Sequence, residues 1–232
     1  MNEWLKRAGP IALMCACVVF LAASQSSAII VIDDFSCGAM TTKLEVDDVT
    51  TQDSISQPSL SCAIGNQRDL VLDFIKDGGL NGAEAFVQGG SLIYNNGSGV
   101  ESELKAKYGM AGDLNANLIA DGSFGIDVFF VDSDQGAQVK VTVTEDGSSV
   151  SVTKDTPSGS GASSLTFLYS EFGLAFTSVD QIEFLFTNRD GTAAVDYEVD
   201  LFATHIPEPV TMLGMFLGLG SVGAYIRRRR MS

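Results

Sequence analysis

Carboxylates are the side chains most available for chemistry in this sequence, whereas a histidine base is almost missing. The chain has 29 Asp and Glu residues, and His205 is its single histidine. Because His205 lies two residues before a proline-containing tripeptide, we expect it in a linker, where it could not serve a Ser-His-Asp or Cys-His catalytic group. Paired carboxylates can hydrolyse a glycosidic bond, but so many acidic residues make some close pair unavoidable. The patterns GxSxG, HExxH, GxGxxG and Walker A do not occur. The sequence therefore predicts a protein that is not an enzyme.

Asp132 and Asp134 are carboxylates at alternate positions, as at the start of a calcium-binding loop. The segment departs from the EF-hand pattern because the next acidic position is missing. Val143 also stands where the bidentate glutamate belongs. These two aspartates are therefore a candidate site for a structural Ca²⁺ ion, and no other cofactor is predicted.

Sugar binding needs exposed aromatic rings that stack on pyranose rings, with polar side chains around them. The single tryptophan, Trp4, lies near the N-terminus, so tyrosines are the candidates. Tyr94, Tyr108 and Tyr169 are the stacking candidates, and Arg68, Arg189, Asn95 and Asn96 are the candidates for hydrogen bonds to hydroxyls. A place in the core or in a turn is the alternative for each. Phe129, Phe130, Phe184 and Phe186 sit within apolar strands and are expected in the core.

Hydrophobic alternation with a period of two runs through the chain from Ile29 onward. In 138–144, Val139, Val141 and Val143 share one face, and the turn 145–148 leads into a second alternating strand, which predicts a hairpin. About ten strands are expected, near 29–32, 69–74, 91–94, 101–108, 123–131, 138–144, 150–152, 165–169, 181–187 and 194–203. Short strands with polar turns predict an all-β domain, an antiparallel β-sandwich, over residues 29–206.

The N-terminus has the three parts of a secretory signal peptide. Lys6 and Arg7 precede an apolar run, 11–23, and Ser26, Ser27 and Ala28 follow it. We expect export by the Sec machinery and cleavage by signal peptidase after Ala28.

The C-terminal stretch has an apolar run, 210–226, between a polar tripeptide and four arginines. The run is about seventeen residues, or roughly 25 Å as a helix, which is at the short end for a membrane span. Arginines beside such a span stay on the cytoplasmic side. Residues 207–232 therefore predict a transmembrane helix whose basic stop is Arg227, Arg228, Arg229 and Arg230.

The region between the two ends is strongly acidic. The formal charge is −15 for the whole chain, and the ends carry +1 and +3, so the middle carries −19. Such a domain repels nucleic acid and anionic membrane surfaces. The charge serves solubility, and uptake of divalent cations is the alternative.

Two of the four cysteines remain after signal-peptide cleavage, Cys37 and Cys62. An exported domain meets an oxidising compartment, so a single disulfide is the prediction. Two free thiols or a metal pair would be the alternative, but no further ligands stand at metal spacing.

Pro207, Glu208 and Pro209, followed by the apolar run and the arginines, resemble the PEP-CTERM sorting signal of diderm bacteria, which exosortases recognise. The resemblance covers about a tenth of the chain. It implies that the chain is held transiently in the inner membrane and cut at or near the tripeptide. The domain would then reach the cell surface or the exopolysaccharide matrix. An ordinary tail anchor is the alternative.

The domain also resembles the jelly-roll domains of PEP-CTERM proteins, which are similar to galactose-binding-like carbohydrate-binding modules. The resemblance lies in three segments, 33–35, 65–69 and 195–201. It implies that the first and last strands lie side by side and hold a structural Ca²⁺ between Asp33, Asp34, Asp196, Glu198 and Asp200. A solvated outer strand face is the alternative for the last three, and Leu201 is expected on the opposite, inner face.

Two functions follow from these features. The first is a structural or adhesive component of the extracellular matrix, without catalysis. The alternative is a carbohydrate-binding module that recognises the exported polysaccharide, and an extracellular enzyme acting on glycans ranks third.

Overall fold

Alternating apolar side chains build two antiparallel sheets that bury one face each. The computed structural model describes residues 29–76, 82–110, 114–133, 138–156, 161–187 and 195–206, and Ile29–His205 forms a compact unit. The predicted signal peptide, the tripeptide Pro207, Glu208 and Pro209, the arginines 227–230 and Asp134 lie outside the described residues. No helix in the described part has the length and hydropathy of a membrane span.

The first sheet contains seven strands: β1 (Val31–Asp33), β2 (Leu44–Val46), β5 (Ala83–Gln88), β6 (Ser91–Asn96), β8 (Gly125–Ser133), β11 (Ser163–Leu168) and β13 (Asp196–His205). The second contains six: β3 (Gln52–Pro58), β4 (Gln67–Lys76), β7 (Glu101–Tyr108), β9 (Gln138–Glu145), β10 (Ser148–Asp155) and β12 (Val179–Thr187). A 3₁₀ turn, Ile64–Asn66, and a four-residue helix, α1 (Tyr169–Phe172), complete the described elements.

Eight of these strands form a jelly roll. The neighbours β1-β13-β8-β11 lie in one sheet and β7-β12-β9-β10 in the other, and all pairings are antiparallel. If these eight strands are renumbered 1 to 8 in chain order, their order is 1-8-3-6 in the first sheet and 2-7-4-5 in the second. This is the jelly-roll arrangement of two Greek keys. The remaining strands, β2 to β6, widen both sheets. The predicted antiparallel sandwich is confirmed, as is the pairing of the first strand with the last.

Stacked aromatic rings join the two sheets. Phe184 of β12 and Phe202 of β13 lie parallel with ring centroids 3.9 Å apart, and both are fully buried. Tyr108 and Phe186 pack edge-on or stacked against the same pair. Burial of each ring stabilises the fold by roughly 2–3 kcal/mol, so this cluster is the centre of the core.

The predicted hairpin and the predicted disulfide are both confirmed. Glu145 pairs with Ser148, and the two residues between them, Asp146 and Gly147, both have positive φ (51° and 73°), as a type I′ turn requires. Cys37 is bonded to Cys62 with their Cα atoms 5.8 Å apart. Closure of a loop of this size stabilises the folded state by about 3 kcal/mol in the chain-entropy model.

Glu145 ends β9 with its carboxylate inside a ring of backbone N–H donors. Burial raises the pKa of Glu145, but the backbone hydrogen bonds outweigh it and hold the pKa below the ordinary glutamate value. The donors are the N–H groups of Ala175, Phe176, Thr177 and Ser178, at 2.8, 2.9, 2.7 and 3.0 Å. The ionised carboxylate therefore holds the loop that leads into β12.

We expect Glu145→Gln to lower the free energy of unfolding by about 1–3 kcal/mol at pH 7, because buried N–H groups lose their charged acceptor. A depressed folded-state pKa contributes stability above the unfolded-state pKa, and this contribution is lost as pH falls through the folded-state value. The difference between the two proteins should therefore shrink on acidification. Urea unfolding at several pH values measures it.

The matched control is Glu45→Gln, since Glu45 is exposed on β2. It should change the free energy of unfolding by less than about 0.5 kcal/mol. Equal effects of the two substitutions would contradict the role assigned to Glu145.

Candidate functional site

Two β-bulges lie opposite each other where β8 pairs with β13. Glu198 pairs with Asp132 and Val199 with Phe130, so Val131 is skipped on β8. The next pair joins Leu201 to Phe129, so Asp200 is skipped on β13. Bulges bend a strand and redirect its side chains, and they are frequent beside functional sites.

The bulge at Asp200 reverses which residues of β13 face the core. Before it, Tyr197 and Val199 are buried; after it, Phe202 is fully buried. Leu201 is half-buried and shares its register with Phe129 on the outer side of the sheet. The expectation that Leu201 would face inward with Val199 is therefore wrong, because the extra residue shifts the alternation by one.

An open groove of about 380 Å³ lies at the two bulges. Both bulge residues, Val131 and Asp200, line the groove. The other lining residues come from β8 and from the start of β11 with the residue before it: Phe129, Phe130, Ala162, Ser163 and Ser164. Val131 exposes 39% of its surface, and Phe129 is half-buried. The groove thus combines an aromatic ring, an aliphatic side chain, two serines and one carboxylate.

A row of polar side chains continues along the same outer side. Asp127 pairs with Ala203 and Thr166. Its carboxylate accepts hydrogen bonds from the Thr166 hydroxyl and from Nδ1 of His205, each at 2.5 Å. The imidazole packs edge-on against Phe124, with ring centroids 4.7 Å apart. His205 is the last residue of β13 and belongs to the folded domain, so its predicted place in a linker is wrong.

We call this surface the bulge face: the groove, with the outward residues Phe124, Asp127, Thr166, Leu201 and His205. It presents apolar rings beside hydrogen-bonding groups, while Asp127 itself exposes only 5% of its surface and holds Thr166 and His205 in place. Sequence reasoning missed it because Phe129 was expected in the core. One signal was available: successive strand residues face opposite sides, so one of the adjacent Phe129 and Phe130 has to face outward.

Three of the seven residues predicted to contact a glycan, Tyr94, Tyr108 and Arg68, lie in the core. Tyr94 exposes 1% of its surface, and Tyr108 and Arg68 expose none. Tyr94 donates a hydrogen bond to the carbonyl of Ser102 at 3.0 Å. No sugar can stack on rings that lie between the sheets, so this prediction is wrong for all three.

Arg68 and Tyr108 instead satisfy a buried carboxylate. Asp33 Oδ2 accepts hydrogen bonds from Arg68 and from the Tyr108 hydroxyl, each at 2.8 Å. Arg68 also donates to the Gln57 side chain and to the Cys37 carbonyl, at 2.8 and 3.2 Å. Burial is the largest influence on Asp33 and raises its pKa, while Arg68 and the hydrogen bonds oppose this shift. The network fastens β1 to the body of the sandwich.

The predicted calcium ligands are not brought together among the described residues. Asp33 pairs with Phe202 and points to Arg68, whereas Asp132, Asp196, Glu198 and Asp200 are on the outer side of the first sheet. Within the described chain, the one group of three close metal-capable side chains is Asp33, Asp34 and Cys62. Cys62 is bonded to Cys37 and Asp33 to Arg68, so this group cannot hold an ion. Calcium binding stays a prediction.

No protein-family model and no curated protein matches the chain. Among solved structures, the sandwich is similar to a family 11 carbohydrate-binding module from Clostridium thermocellum, with 11% identity and a TM-score of 0.35 over 70% of this chain and 95% of that one. It is also similar to CBM29_1, a family 29 module from Piromyces equi, with 13% identity and a TM-score of 0.35 over 67% and 92%. A third is TmCBM61 in complex with β-1,4-galactotriose, with 12% identity and a TM-score of 0.31 over 75% and 94%.

The buried ion pair generates a prediction about stability. Arg68→Met should lower the free energy of unfolding by about 3–5 kcal/mol at pH 8, because it leaves Asp33 buried without its partner. Without Arg68, burial should raise the pKa of Asp33 in the folded state further above its value in the unfolded chain. The variant should therefore lose stability as pH rises from the unfolded-state pKa through the folded-state pKa of this carboxyl. Urea unfolding at pH 5 and pH 8 should show the larger loss at pH 8.

The double variant Arg68→Met with Asp33→Leu removes both charges and should recover most of the lost stability. An equally unstable double variant would show that packing around Arg68, and not its charge, holds this part of the fold.

Proposed function

We propose that the domain binds a polysaccharide without catalysis and that the bulge face is its binding site. The observation that carries the proposal is the outward Phe129 in an open groove, beside Asp200 on one side and the Asp127, Thr166 and His205 row on the other. A pyranose ring has an apolar face of C–H groups and a rim of hydroxyls. An aromatic ring can cover the apolar face of the sugar, and charged or polar side chains can accept hydrogen bonds from its hydroxyls.

The shape of the groove favours a polymer over a small ligand. Sites for small molecules enclose most of the ligand surface, whereas this groove is open along the sheet. Sugar units of an extended chain could therefore lie across β8, β11 and β13 in succession. The apolar side chains Val131 and Phe124, which expose 39% and 37% of their surfaces, lengthen the platform beyond Phe129.

Of the functions that follow from the sequence, carbohydrate binding accounts for this face best. A structural or adhesive role in a matrix would be its consequence, since a domain that holds the matrix polymer is retained by it. The proposed binding needs no bond cleavage. Incubation with the bound polysaccharide should release no new reducing or unsaturated ends.

We expect Phe129→Ala in the purified full-length chain to weaken polysaccharide binding by about tenfold, because loss of one well-placed ring costs about 1.4 kcal/mol of binding free energy. Affinity electrophoresis in gels containing neutral, cationic or anionic polysaccharides identifies the polymer and measures the change. Phe129 is half-buried, so unfolding curves of the variant check that it remains folded.

The matched control is Val71→Ala, an outward residue of β4 on the opposite sheet. It should leave the affinity unchanged. If both variants retain full affinity, or if none of the three polymer classes retards the protein, the bulge face is not the site.

We also propose that the chain is exported and that its tail is a sorting signal cut by an exosortase, with delivery to the cell surface or matrix. The support is the order of Pro207, Glu208, Pro209, the apolar run and the arginines. The mass of the protein in each cell fraction tests this. Matrix-associated protein should lack the mass of the apolar run and arginines, and Glu208→Ala should prevent that delivery. Full-length protein found in the inner membrane alone would show an anchor.

A further inference from the structure

We propose that the end of the domain where β13 finishes rests on the lipid surface of a membrane while the apolar run 210–226 spans it. We call this end the exit surface and define it by Ile29, Val31, Ile119 and Phe124. The inference goes beyond polysaccharide binding, and it rests on the proposed membrane insertion of the apolar run. It follows from where the exposed apolar side chains lie and from how short the connection to that run is.

Large apolar side chains are exposed at the exit surface. Ile29, Val31, Ile119 and Phe124 expose 54, 41, 38 and 37% of their surfaces. They are four of the eight large apolar residues that are exposed to this degree in the described part of the chain, so half of this set lies at one end. Single exposed apolar residues are ordinary on a soluble protein, whereas a contiguous group marks an interaction surface.

The N-terminal pair of this group lies beside the end of β13. Thr204 donates its N–H to the carbonyl of Ile30 at 2.9 Å, and Val31 pairs with Ala203. Ile29 and Val31 flank Ile30 in the chain, so by alternation they share the outer side of the first sheet.

The turn before β8 is fastened to the same place. Its Asp121 carboxylate accepts hydrogen bonds from the Ile30 N–H and from the Thr204 hydroxyl, at 3.3 and 2.9 Å. Ile119 begins this turn, because the Gly122 N–H donates to its carbonyl at 3.0 Å. The exposed Ile119 side chain is thus held near the other two, and the carboxylate of the turn is already occupied by donors of the protein.

Phe124 completes the group. Its N–H donates to the carbonyl of His205 at 2.9 Å, and its ring packs edge-on against the imidazole. His205 is the last residue of β13, so this ring lies where the chain leaves the sandwich. The four apolar side chains therefore surround one point, and that point is the start of the connection to the apolar run.

This connection is too short to hold the exit surface far from a membrane. From His205 to Val210 there are five residue steps, which span at most about 18 Å when fully extended. The headgroup layer of a bilayer is itself roughly 5–7 Å thick on each side. Once the run has entered the hydrocarbon, the effective concentration of the exit surface at the lipid is high. Its apolar side chains then gain free energy by entering the boundary between headgroups and acyl chains.

The opposite end of the first sheet is less suited to this contact. Val46 lies level with Asn96, at the end of the sheet where β13 begins. The turn that follows β2 there carries the exposed carboxylates of Asp47 and Asp48 beside the exposed Val49. Carboxylates are repelled by an anionic lipid surface. The connection therefore leaves from the end whose exposed side chains are compatible with lipid.

Contact with lipid at the exit surface leaves the groove free. Leu201, which pairs with Phe129, is four residues before His205, or about 13 Å along β13. Of the bulge face, Phe124 and the neighbouring His205 are the part that reaches the exit surface. A domain that rests on the membrane therefore holds its groove above the lipid, open to a polymer.

Tryptophan fluorescence of the full-length chain in phosphatidylcholine vesicles tests the inference. The chain has one tryptophan, so Trp4→Phe with Phe124→Trp leaves a single reporter on the exit surface. Its emission should shift to the blue on reconstitution. It should fall by about twofold or more when the lipids carry bromine in the upper part of the acyl chains, because docked side chains lie about 5–10 Å into the interface. Ile119→Trp should give the same result without changing the packing against His205.

Val49→Trp, at the opposite end, is the matched control and should show neither the shift nor the quenching. Ile29→Asp, added to the Ile119→Trp protein, should remove most of the quenching, because an ionised carboxylate is costly to move into an apolar boundary. Val49→Asp in the same protein should leave the quenching unchanged.

Unquenched reporters at both positions, in protein that floats with the vesicles, would overturn the docking and leave the membrane tail standing. A reporter that is blue-shifted but unquenched, in protein that cross-links as a dimer, would overturn it in favour of a second copy on the exit surface. Protein that does not associate with vesicles would remove the docking and the proposed tail together. None of these outcomes bears on polysaccharide binding.

Discussion

The pairing of β13 with β8 is the constraint on which the rest of the structure depends. β13 reaches across the first sheet, with β8 on one side and β6 and then β1 on the other. It supplies Tyr197, Val199 and Phe202 to the core. Since Phe202 stacks on Phe184 of the other sheet, any slip in this pairing would move apolar side chains out of the core. Each of the two bulges adds one unpaired residue, Val131 on β8 and Asp200 on β13, so the strands are in register again beyond them. The groove lies at these two residues. Core packing and the candidate site thus come from the same irregularity in one strand pair.

Side-chain hydrogen bonds and the disulfide hold β1 in place. β1 has three residues and two paired positions, too few to hold it by ladder hydrogen bonds alone. Asp33 therefore binds Arg68 and Tyr108 inside the sandwich, and the Cys37–Cys62 disulfide closes the segment that follows. Thr204 and Asp121 hold Ile30 beside the end of β13. Polar groups do this work in the interior because each has a partner, as buried polar atoms require.

The distribution of charge separates the two outer faces. On the second sheet, Lys105 and Lys107 lie among Asp73, Glu103 and Glu183 in a mixed, self-compensated surface. On the first sheet, the carboxylates near the bulges lack such compensation within the described residues. Within the described residues, the acidic side chains are therefore ion-paired on the second sheet, whereas those near the bulges of the first sheet have no ion pair.

The sequence by itself determined the class of fold, the hairpin 138–155 and the disulfide, because these depend on local alternation, a two-residue turn and two remaining cysteines. It missed β2, β3 and β5: β3 is an edge strand whose residues are polar or exposed on both faces, and such strands carry no periodic signal. The candidate site was decided by tertiary structure alone. Tyr94, Tyr108 and Arg68 looked available because their types suit sugar binding, but burial depends on what packs over them. Leu201 and His205 face outward because the bulge at Asp200 shifts the alternation of β13 by one residue, which no local pattern shows. For Phe129 and Phe130 the alternation requires one ring to face outward, and the pairing of β8 with its neighbours decides that it is Phe129.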